Sequence, residues 1–243
     1  MPMILSQKNL EEMAAAVTKD FNRLFFGAEA EKQNRFALPT PIDQLASRYL
    51  GLSVSFEKLS DDGSVFGLTA YTDTEFLIEV DGRKKVLPLH QNQVILDAGF
   101  IQPGNVRKLC GKRRFTLAHE CAHQILYQLE ADDRKVACSR KRMPGASRSL
   151  RTQEDWNEWQ ANTLGAAILM PQAEVDRAMW YLNAGKPLTS YEGRFCDTDR
   201  RRMEVFTAAF GVSKSAASIR LEQLGYLIKK RSYEYHDPLE VWP

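Results

Sequence analysis

The stretch "RRFTLAHECAHQILYQ", residues 113–128, holds two of the four histidines of this 243-residue chain, and they lie four residues apart. The spacing of its apolar residues predicts an amphipathic helix. On a helical wheel the apolar side chains fill one half of the helix, and His119 and His123 lie about 40° apart just beyond one edge of that half. The two imidazoles therefore project together from the border of a packed face.

Two imidazoles on neighbouring turns can bind one metal ion. Zn²⁺ accepts neutral imidazole nitrogens at about 2.0–2.1 Å. Glu120 follows His119 directly in the sequence but lies about 100° round the helix, beside the metal rather than on it. From there its carboxylate can accept a proton from an attacking water. The alternative is a pair of surface histidines that share this spacing by chance, and we favour zinc because the H-E-x-x-H pattern lies on an amphipathic helix.

A catalytic zinc site needs a third protein ligand. His90 and His236 have no helical neighbour that recommends them, so we expect ordinary surface or strand histidines there. The segment "EDWNEWQANTLGAAILMP" predicts a second helix, in which Glu158 borders an apolar stripe close to Gly165. A glycine on that face permits close packing of the two helices. Glu154 lies one turn earlier on nearly the same face, so periodicity leaves both glutamates as candidates.

The segments before these two helices predict further helices and then a sheet. Residues 8–26 have helical spacing. In "TPIDQLASRYLG", Thr40 is a candidate cap, Pro41 would take the first helical position and Gly51 would end the helix. Four segments rich in β-branched and aromatic residues follow, with the turn signals "DDG" and "DG" between them, namely LSVSF, SVFGLTAYT, EFLIEV and QVILDAGF. The pattern predicts a small, mostly antiparallel sheet and an α+β fold.

Two helices follow the predicted sheet, over residues 113–129 and 153–170. Thr152 and Asp155 form a candidate capping pair for the second helix, which Pro171 would end. The residues between the helices, from 131, are polar, basic and punctuated by glycine and proline. We interpret them as a long loop.

Composition and charge limit the functional classes. An apolar fraction of 44% and a charged fraction of 26% are typical of a globular protein, and a net charge of +2 gives no global attraction to nucleic acid or to a membrane. No stretch approaches the roughly 20 apolar residues of a membrane span, and no signal peptide is evident. The four cysteines form no C-x-x-C pair. We therefore expect a cytoplasmic protein with reduced thiols and no membrane contact.

The C-terminal stretch "RRRMEVFTAAFGVSKSAASIRLEQLGYL" predicts two helices joined by a turn, with Ser213 as a candidate cap of the second. This spacing is typical of a helix-turn-helix, so residues 199–225 are a candidate for direct DNA contact. Positive charge is added there by Arg200, Arg201, Arg202, Lys214 and Arg220. Because the whole-chain charge is near zero, we favour a helical part that packs on the core or contacts a protein substrate.

The motifs "RRFTLAHECAHQIL" and "EWQANTLGAAILMP" together resemble those of the ImmA/IrrE family of metallopeptidases. The family signature is an R-F-T-x-A-H-E-x-x-H helix and then a helix of the form E-x-x-A-N-x-[FL]-[AG]-x-x-[IL]-L-M-P. The similarity covers roughly residues 36–225. The resemblance implies that Glu158 is the third zinc ligand and that Glu120 is the general base. It also implies a zincin-like (gluzincin-type) minimal peptidase domain that uses Zn²⁺, with Mn²⁺ as a substitute in vitro.

The resemblance further implies cleavage of a partner helix-turn-helix transcriptional repressor, in a regulatory or stress-response role. No DNA-binding domain is evident before the peptidase motifs, so we expect the repressor to be a separate chain. Tyr127 is a candidate for stabilising the oxyanion because of its face on the first helix. An exposed strand edge beside the cleft could bind the substrate in extended form. The alternative function is a non-catalytic, zinc-stabilised regulatory or antitoxin-like binding protein.

The expected organisation has three parts. Residues 1–35 form an N-terminal helical segment, residues 36–175 the zinc metallopeptidase domain, and residues 176–243 a C-terminal helical part that resembles a helix-turn-helix.

Overall fold

The computed structural model describes residues 4–27, 39–129, 138–142 and 152–236, in which helices alternate with small sheets. The predicted α+β class is confirmed. The described residues form two units, one ending at Pro171 and the other comprising Pro39 and the residues from Gln172 onward. No helix in the described ranges is long and apolar enough to cross a membrane.

The first unit contains five helices among its described residues: α1 Gln7–Phe26, α2 Ile42–Gln44, α3 Asn105–Lys108, α4 Cys110–Tyr127 and α5 Gln153–Leu169. Its described strands are β1 Ser53–Glu57, β2 Val65–Ala70, β3 Thr74–Val80, β4 Arg83–Leu89, β5 Gln93–Asp97 and β6 Cys138–Arg142. The predicted helices over 8–26, 113–129 and 153–170 are confirmed, with ends that differ by at most three residues.

The helix predicted in "TPIDQLASRYLG" has a different form. Pro41 is the N-cap rather than the first helical residue, and α2 continues after three residues into a wider π-helical turn over Leu45–Tyr49. Gly51 follows at a φ of 67°, a left-handed conformation that glycine adopts without strain, and it ends the segment as predicted.

Thr40 does not cap α2, which corrects the prediction. Its hydroxyl donates a hydrogen bond of 2.6 Å to the carbonyl oxygen of Ile168, near the end of α5. The physical reason is that the last carbonyls of a helix have no partner within the helix, and a buried one needs a donor from elsewhere. The backbone oxygen of Thr40 in turn accepts a hydrogen bond of 2.8 Å from Arg114 of α4. This residue therefore links the two motif helices.

The main sheet has the strand order β1-β5-β2-β6. Strands β2 and β5 are antiparallel, as are β2 and β6, whereas β1 runs parallel to β5. The four segments predicted as strands are confirmed as β1, β2, β3 and β5. The last of them continues as a short 3-10 helix, Ala98–Ile101, instead of an extended chain.

Two described strands of the first unit escaped sequence analysis. Strand β4 pairs with β3 along its whole length through a turn at Asp81 and Gly82, both at positive φ, as a two-residue hairpin turn requires. Its sequence "RKKVLPL" is too charged to signal a strand. Strand β6 lies within the segment interpreted as a loop, whose other residues, 131–137 and 143–151, lie outside the described ranges. That interpretation is wrong for β6, because pairing with β2 and not local propensity makes it extended.

Strand β2 is buried along its entire length. Gly67 and Thr69 face α4, whereas Leu68 and Ala70 join the apolar cluster that lies under the β3–β4 hairpin. The cluster consists of Leu59, Val65, Leu68, Ala70, Ile78, Leu87, Leu89 and Ile95. A strand that is covered on both faces has little freedom to move. Strand β2 therefore provides a rigid surface against which α4 packs.

The second unit contains α6 Gln172–Asn183, β7 Leu188–Tyr191, β8 Arg194–Phe195, α7 Asp197–Phe210, α8 Lys214–Gln223 and β9 Leu227–Lys230. The predicted helix-turn-helix pair is confirmed as α7 and α8, and the hydroxyl of Ser213 accepts from Ala216 N at 3.2 Å as the cap. Besides its helices, the predicted C-terminal helical part contains three described strands, which form a sheet of order β8-β7-β9. Strands of two to four residues are too short to show an alternating pattern.

Candidate metal centre

The two motif histidines are buried side by side on α4. His119 is 0% exposed and His123 is 4% exposed. Their Nε2 atoms lie 3.0 Å apart, and their rings are nearly perpendicular. Burial of two imidazoles with their ring nitrogens facing each other is unfavourable unless a third group, or an ion, lies between or beside them.

Glu158 of α5 completes the group. One carboxylate oxygen lies 3.0 Å from His123 Nε2 and the other lies 3.4 Å from His119 Nε2. The side chain of Glu158 is 29% exposed, whereas the histidine side chains are 0% and 5% exposed, so the group reaches solvent on the glutamate side.

The donor set and its spacing fit a metal ion. The candidate ligand atoms of His119, His123 and Glu158 lie within 4.8 Å of one another, and they form the possible metal site found among the described residues. Four ligands placed tetrahedrally at about 2.0–2.1 Å from a zinc ion lie roughly 3.4 Å from each other. The separations of 3.0, 3.0 and 3.4 Å are close to that value.

Electrostatics keeps the carboxyl group of Glu158 in the ligand form. Burial raises its pKa, but hydrogen bonds with His119 and His123 outweigh burial and hold the pKa below its ordinary value. The group is therefore an ionised carboxylate at neutral pH, which is the state that binds a metal cation.

The close approach of α4 and α5 depends on Gly165. A Cβ atom at this position would lie 3.0 Å from the backbone nitrogen of His119 and 3.1 Å from the carbonyl of Ala118. The absence of a side chain thus lets the backbone of α5 lie against the turn that carries the first histidine. Thr152 and Asp155 cap α5 reciprocally, as predicted, and so fix where the helix begins.

A second row of α4 residues faces β2. Thr116, Glu120 and Gln124 are buried and occupy one face of the helix at intervals of one turn, next to the histidine face. The side-chain amide of Gln124 donates to Thr69 Oγ1 at 2.8 Å and to the carbonyl oxygen of Ala70 at 2.9 Å. These two bonds fasten α4 to the strand one residue after the second histidine.

Glu120 is 0% exposed and lies against β2 at Gly67. It is not a member of the ligand group, and its predicted role as the general base stays a prediction. Its carboxylate is next to the ligand turn but belongs to the row that faces the strand.

The remaining candidates lie elsewhere. Glu154 is exposed, so the structure brings Glu158 to the histidines and leaves its rival near the start of the helix. His90 and His236 are also exposed. The ring of Tyr127 is stacked on that of Tyr71, with centroids 4.1 Å apart. The predicted role of Tyr127 at the oxyanion stays a prediction.

Sequence analysis missed Gly67, Thr69 and Gln124. One signal was available, because a glycine inside a strand pattern often marks a close backbone approach. No pattern in the sequence pairs Gln124 with Thr69, since the two are 55 positions apart and meet only in the folded chain.

Most of the basic side chains predicted in the second unit are buried or have a partner within that unit. Arg220 is fully buried. Arg200 forms ion pairs with two carboxylates of its own helix, and Arg202 pairs with Asp199 at 2.8 Å. The ammonium group of Lys214 lies 4.8 Å from the centre of the Phe195 ring. Arg201, the remaining member of the predicted group, is exposed. The other four are buried or have a partner within the unit.

Comparison with known families supports the interpretation of the two motifs. Residues 105–222 match the Peptidase_M78 family model, which describes the IrrE N-terminal-like domain. The match contains α4 and α5 and therefore all three members of the ligand group. No match was found among curated proteins. The family suggests a function of the metallopeptidase type.

Proposed function

Because the chain carries an IrrE N-terminal-like peptidase domain, the family predicted from its two motifs, we propose that it is a cytoplasmic zinc-dependent metalloendopeptidase. The observation that carries the proposal is the convergence of His119, His123 and Glu158 at the junction of α4 and α5. Glu120 lies beside this group without being part of it. We also propose that the first unit is a zincin-like (gluzincin-type) domain, on the basis of the same helix pair.

Zinc is the metal that the donors favour. Two imidazoles and one carboxylate are a typical set for a catalytic zinc with an open fourth position, and imidazole ligands are less suited to Mg²⁺ or Ca²⁺. A bound zinc would polarise the scissile carbonyl and lower the pKa of an attacking water. Mn²⁺ could substitute in vitro.

The chain's own residues supply the remaining chemistry. His119, His123 and Glu158 would hold the ion, and the partly exposed Glu158 would leave an approach for the substrate. Glu120 accepts a proton from the attacking water and passes it to the leaving amine. Glu120 is buried against β2 at Gly67, which limits the space open to its carboxylate and so favours a pre-organised base.

The proposed substrate is a separate helix-turn-helix transcriptional repressor, whose cleavage would serve a regulatory or stress response. The family resemblance supports this choice. Strand β6 pairs with β2 on one side and lies at the edge of the sheet among the described strands, so an extended peptide could add to its other side. We do not propose DNA contact through residues 199–225, because Arg220 is buried and Arg200 is paired.

The test is cleavage of the repressor encoded beside this protein. The chain is stripped with a chelator, divided, and returned to Zn²⁺, to Mn²⁺ or to buffer alone before incubation with the repressor. We expect one or a few defined fragments by mass spectrometry with zinc and none in buffer alone. Binding of the repressor without cleavage under every metal condition would support the non-catalytic binding protein instead.

A further inference from the structure

Gly67 is the point at which β2 comes closest to Glu120. A Cβ atom on Gly67 would lie 2.6 Å from Glu120 Oε1 and 3.2 Å from its carboxyl carbon. It would also lie 2.9 Å from Thr116 Cγ2. Separations below about 3 Å are well inside van der Waals contact, so one of the groups would have to move.

The strand cannot move easily. Gly67 pairs with Leu96 of β5 on one side and with Lys141 of β6 on the other. Its neighbour Leu68 is fully buried in the cluster on the opposite face of β2. A shift of the strand at Gly67 would therefore disturb two ladders and a packed core.

Helix α4 is also held in place. On the side of the helix that faces α5, the backbone of His119 lies close to Gly165. A Cβ atom on Gly165 would lie 3.0 Å from the backbone nitrogen of His119. On the side that faces β2, Gln124 is bonded to the strand through Thr69 and Ala70. The group with most freedom to yield is thus the end of the Glu120 side chain.

We propose that Gly67 is a positioning residue for Glu120: the missing side chain leaves the space in which the Glu120 carboxylate lies beside the ligand turn. The proposal rests on the proposed function, since it assumes that Glu120 is the general base. The contact itself does not involve the ligand group. Gly67→Ala would therefore separate metal binding from catalysis without altering any residue that the motif contains.

The first experiment tests the contact without reference to activity. Thermal unfolding is measured for wild type, Gly67→Ala, Glu120→Ala and the double variant. We expect Gly67→Ala to lower Tm by about 3–8 °C, which corresponds to modest overpacking in a chain of this size. In the Glu120→Ala background, Gly67→Ala should lower Tm by less than half as much, because the atom closest to the new Cβ has been removed.

Gly67→Ala is also measured in a Thr116→Ser background, in which only the Cγ2 atom of the second neighbour is removed. This background also keeps the experiment usable if Gly67→Ala alone fails to fold. If relief comes from Thr116→Ser and none from Glu120→Ala, Gly67 merely accommodates the helix, and the proposal is wrong.

The second experiment measures zinc content and repressor cleavage of Gly67→Ala. We expect zinc to stay at about one ion per chain, kcat to fall about 10²-fold and KM to stay unchanged, because a displaced base loses alignment and not substrate binding. Full activity, or loss of zinc together with activity, would overturn the proposal. If wild type does not cut the repressor at all, the proposed function fails, and the unfolding comparison still decides the contact.

The matched control is Gly99→Ala. A Cβ atom there would lie 2.7 Å from Asp97 Oδ1, a similar clash with a carboxylate at the end of β5 instead of at Glu120. We expect Gly99→Ala to lower Tm but to keep both zinc and kcat. A fall in kcat of the same size as for Gly67→Ala would show that general destabilisation explains the loss, and would contradict the positioning role.

Discussion

The helix pair α4–α5 and the helix pair α7–α8 were both recognised from sequence motifs rich in ionisable residues, but the structure treats these residues differently. In α4–α5, two histidines and a glutamate lie within hydrogen-bonding distance of one another, and both histidines are buried. In α7–α8, the exposed cation Arg200 pairs with carboxylates three and four residues away on its own helix.

The difference shows which arrangement of charge indicates chemistry. Exposed pairs within one helix form readily from local spacing and contribute little to stability. Buried polar groups that converge from two distant segments are costly to assemble, and they persist where a ligand or a reaction stabilises them. We therefore propose the metal chemistry for α4–α5, and we infer no binding role from the exposed ion pairs of α7.

The largest effect should come from the histidines. His119→Ala or His123→Ala should reduce zinc from about one ion per chain to near none, because each removes one of three ligands from a site with one open position. Atomic absorption after dialysis gives the metal content, and circular dichroism shows whether the fold is kept. Undiminished zinc in both variants would end the assignment of the metal to α4–α5.

A smaller effect should distinguish the two glutamates of α5. Glu158→Ala should lose zinc under mild chelation, since its carboxylate lies 3.0 and 3.4 Å from the histidine nitrogens. Glu154→Ala, the matched control on the same helix, should keep zinc, because this side chain is exposed. The chelator concentration that removes half of the zinc is the quantity to compare. The reverse order of the two variants would place the third ligand one turn earlier.

The smallest effects on zinc content and on repressor cleavage should come from substitutions in α7–α8, which should change stability alone. Arg220→Ala removes a fully buried large side chain and should lower Tm by roughly 6–12 °C. Arg200→Ala removes an exposed ion pair and should change Tm by less than about 2 °C. Neither change should alter zinc content or repressor cleavage per folded molecule. Loss of cleavage in well-folded Arg200→Ala would give this surface a part in function and break the comparison.

Sequence periodicity predicted that the two histidines lie side by side, because both belong to one helix. His119, Glu120 and His123 share a few turns of α4, so their relative directions follow from the helical repeat alone. Glu158 required more, because its wheel position is close to that of Glu154, and only the packing of α5 on α4 at Gly165 brings one of them to the histidines.

The features that the sequence did not predict share one cause, because each depends on contacts between distant segments of the chain. Thr40 lies where a cap of α2 is expected, but its hydroxyl donates a hydrogen bond to the carbonyl oxygen of Ile168 in α5. Strand β6 is too polar for a strand pattern and is extended because it pairs with β2. The role of Gly67 depends on what faces it across the α4–β2 interface. Local patterns carry no information about such partners, which are set by tertiary packing.

The most direct test of the central claim compares wild type with Glu120→Gln, each measured for zinc content and for cleavage of the neighbouring repressor. The substitution keeps the size and shape of the side chain and removes the proton acceptor. The account predicts normal folding and about one zinc per chain, with cleavage lower by 10²–10⁴-fold. Cleavage at the wild-type rate by Glu120→Gln, with zinc retained, would contradict the assignment of the general base to the buried row that faces β2.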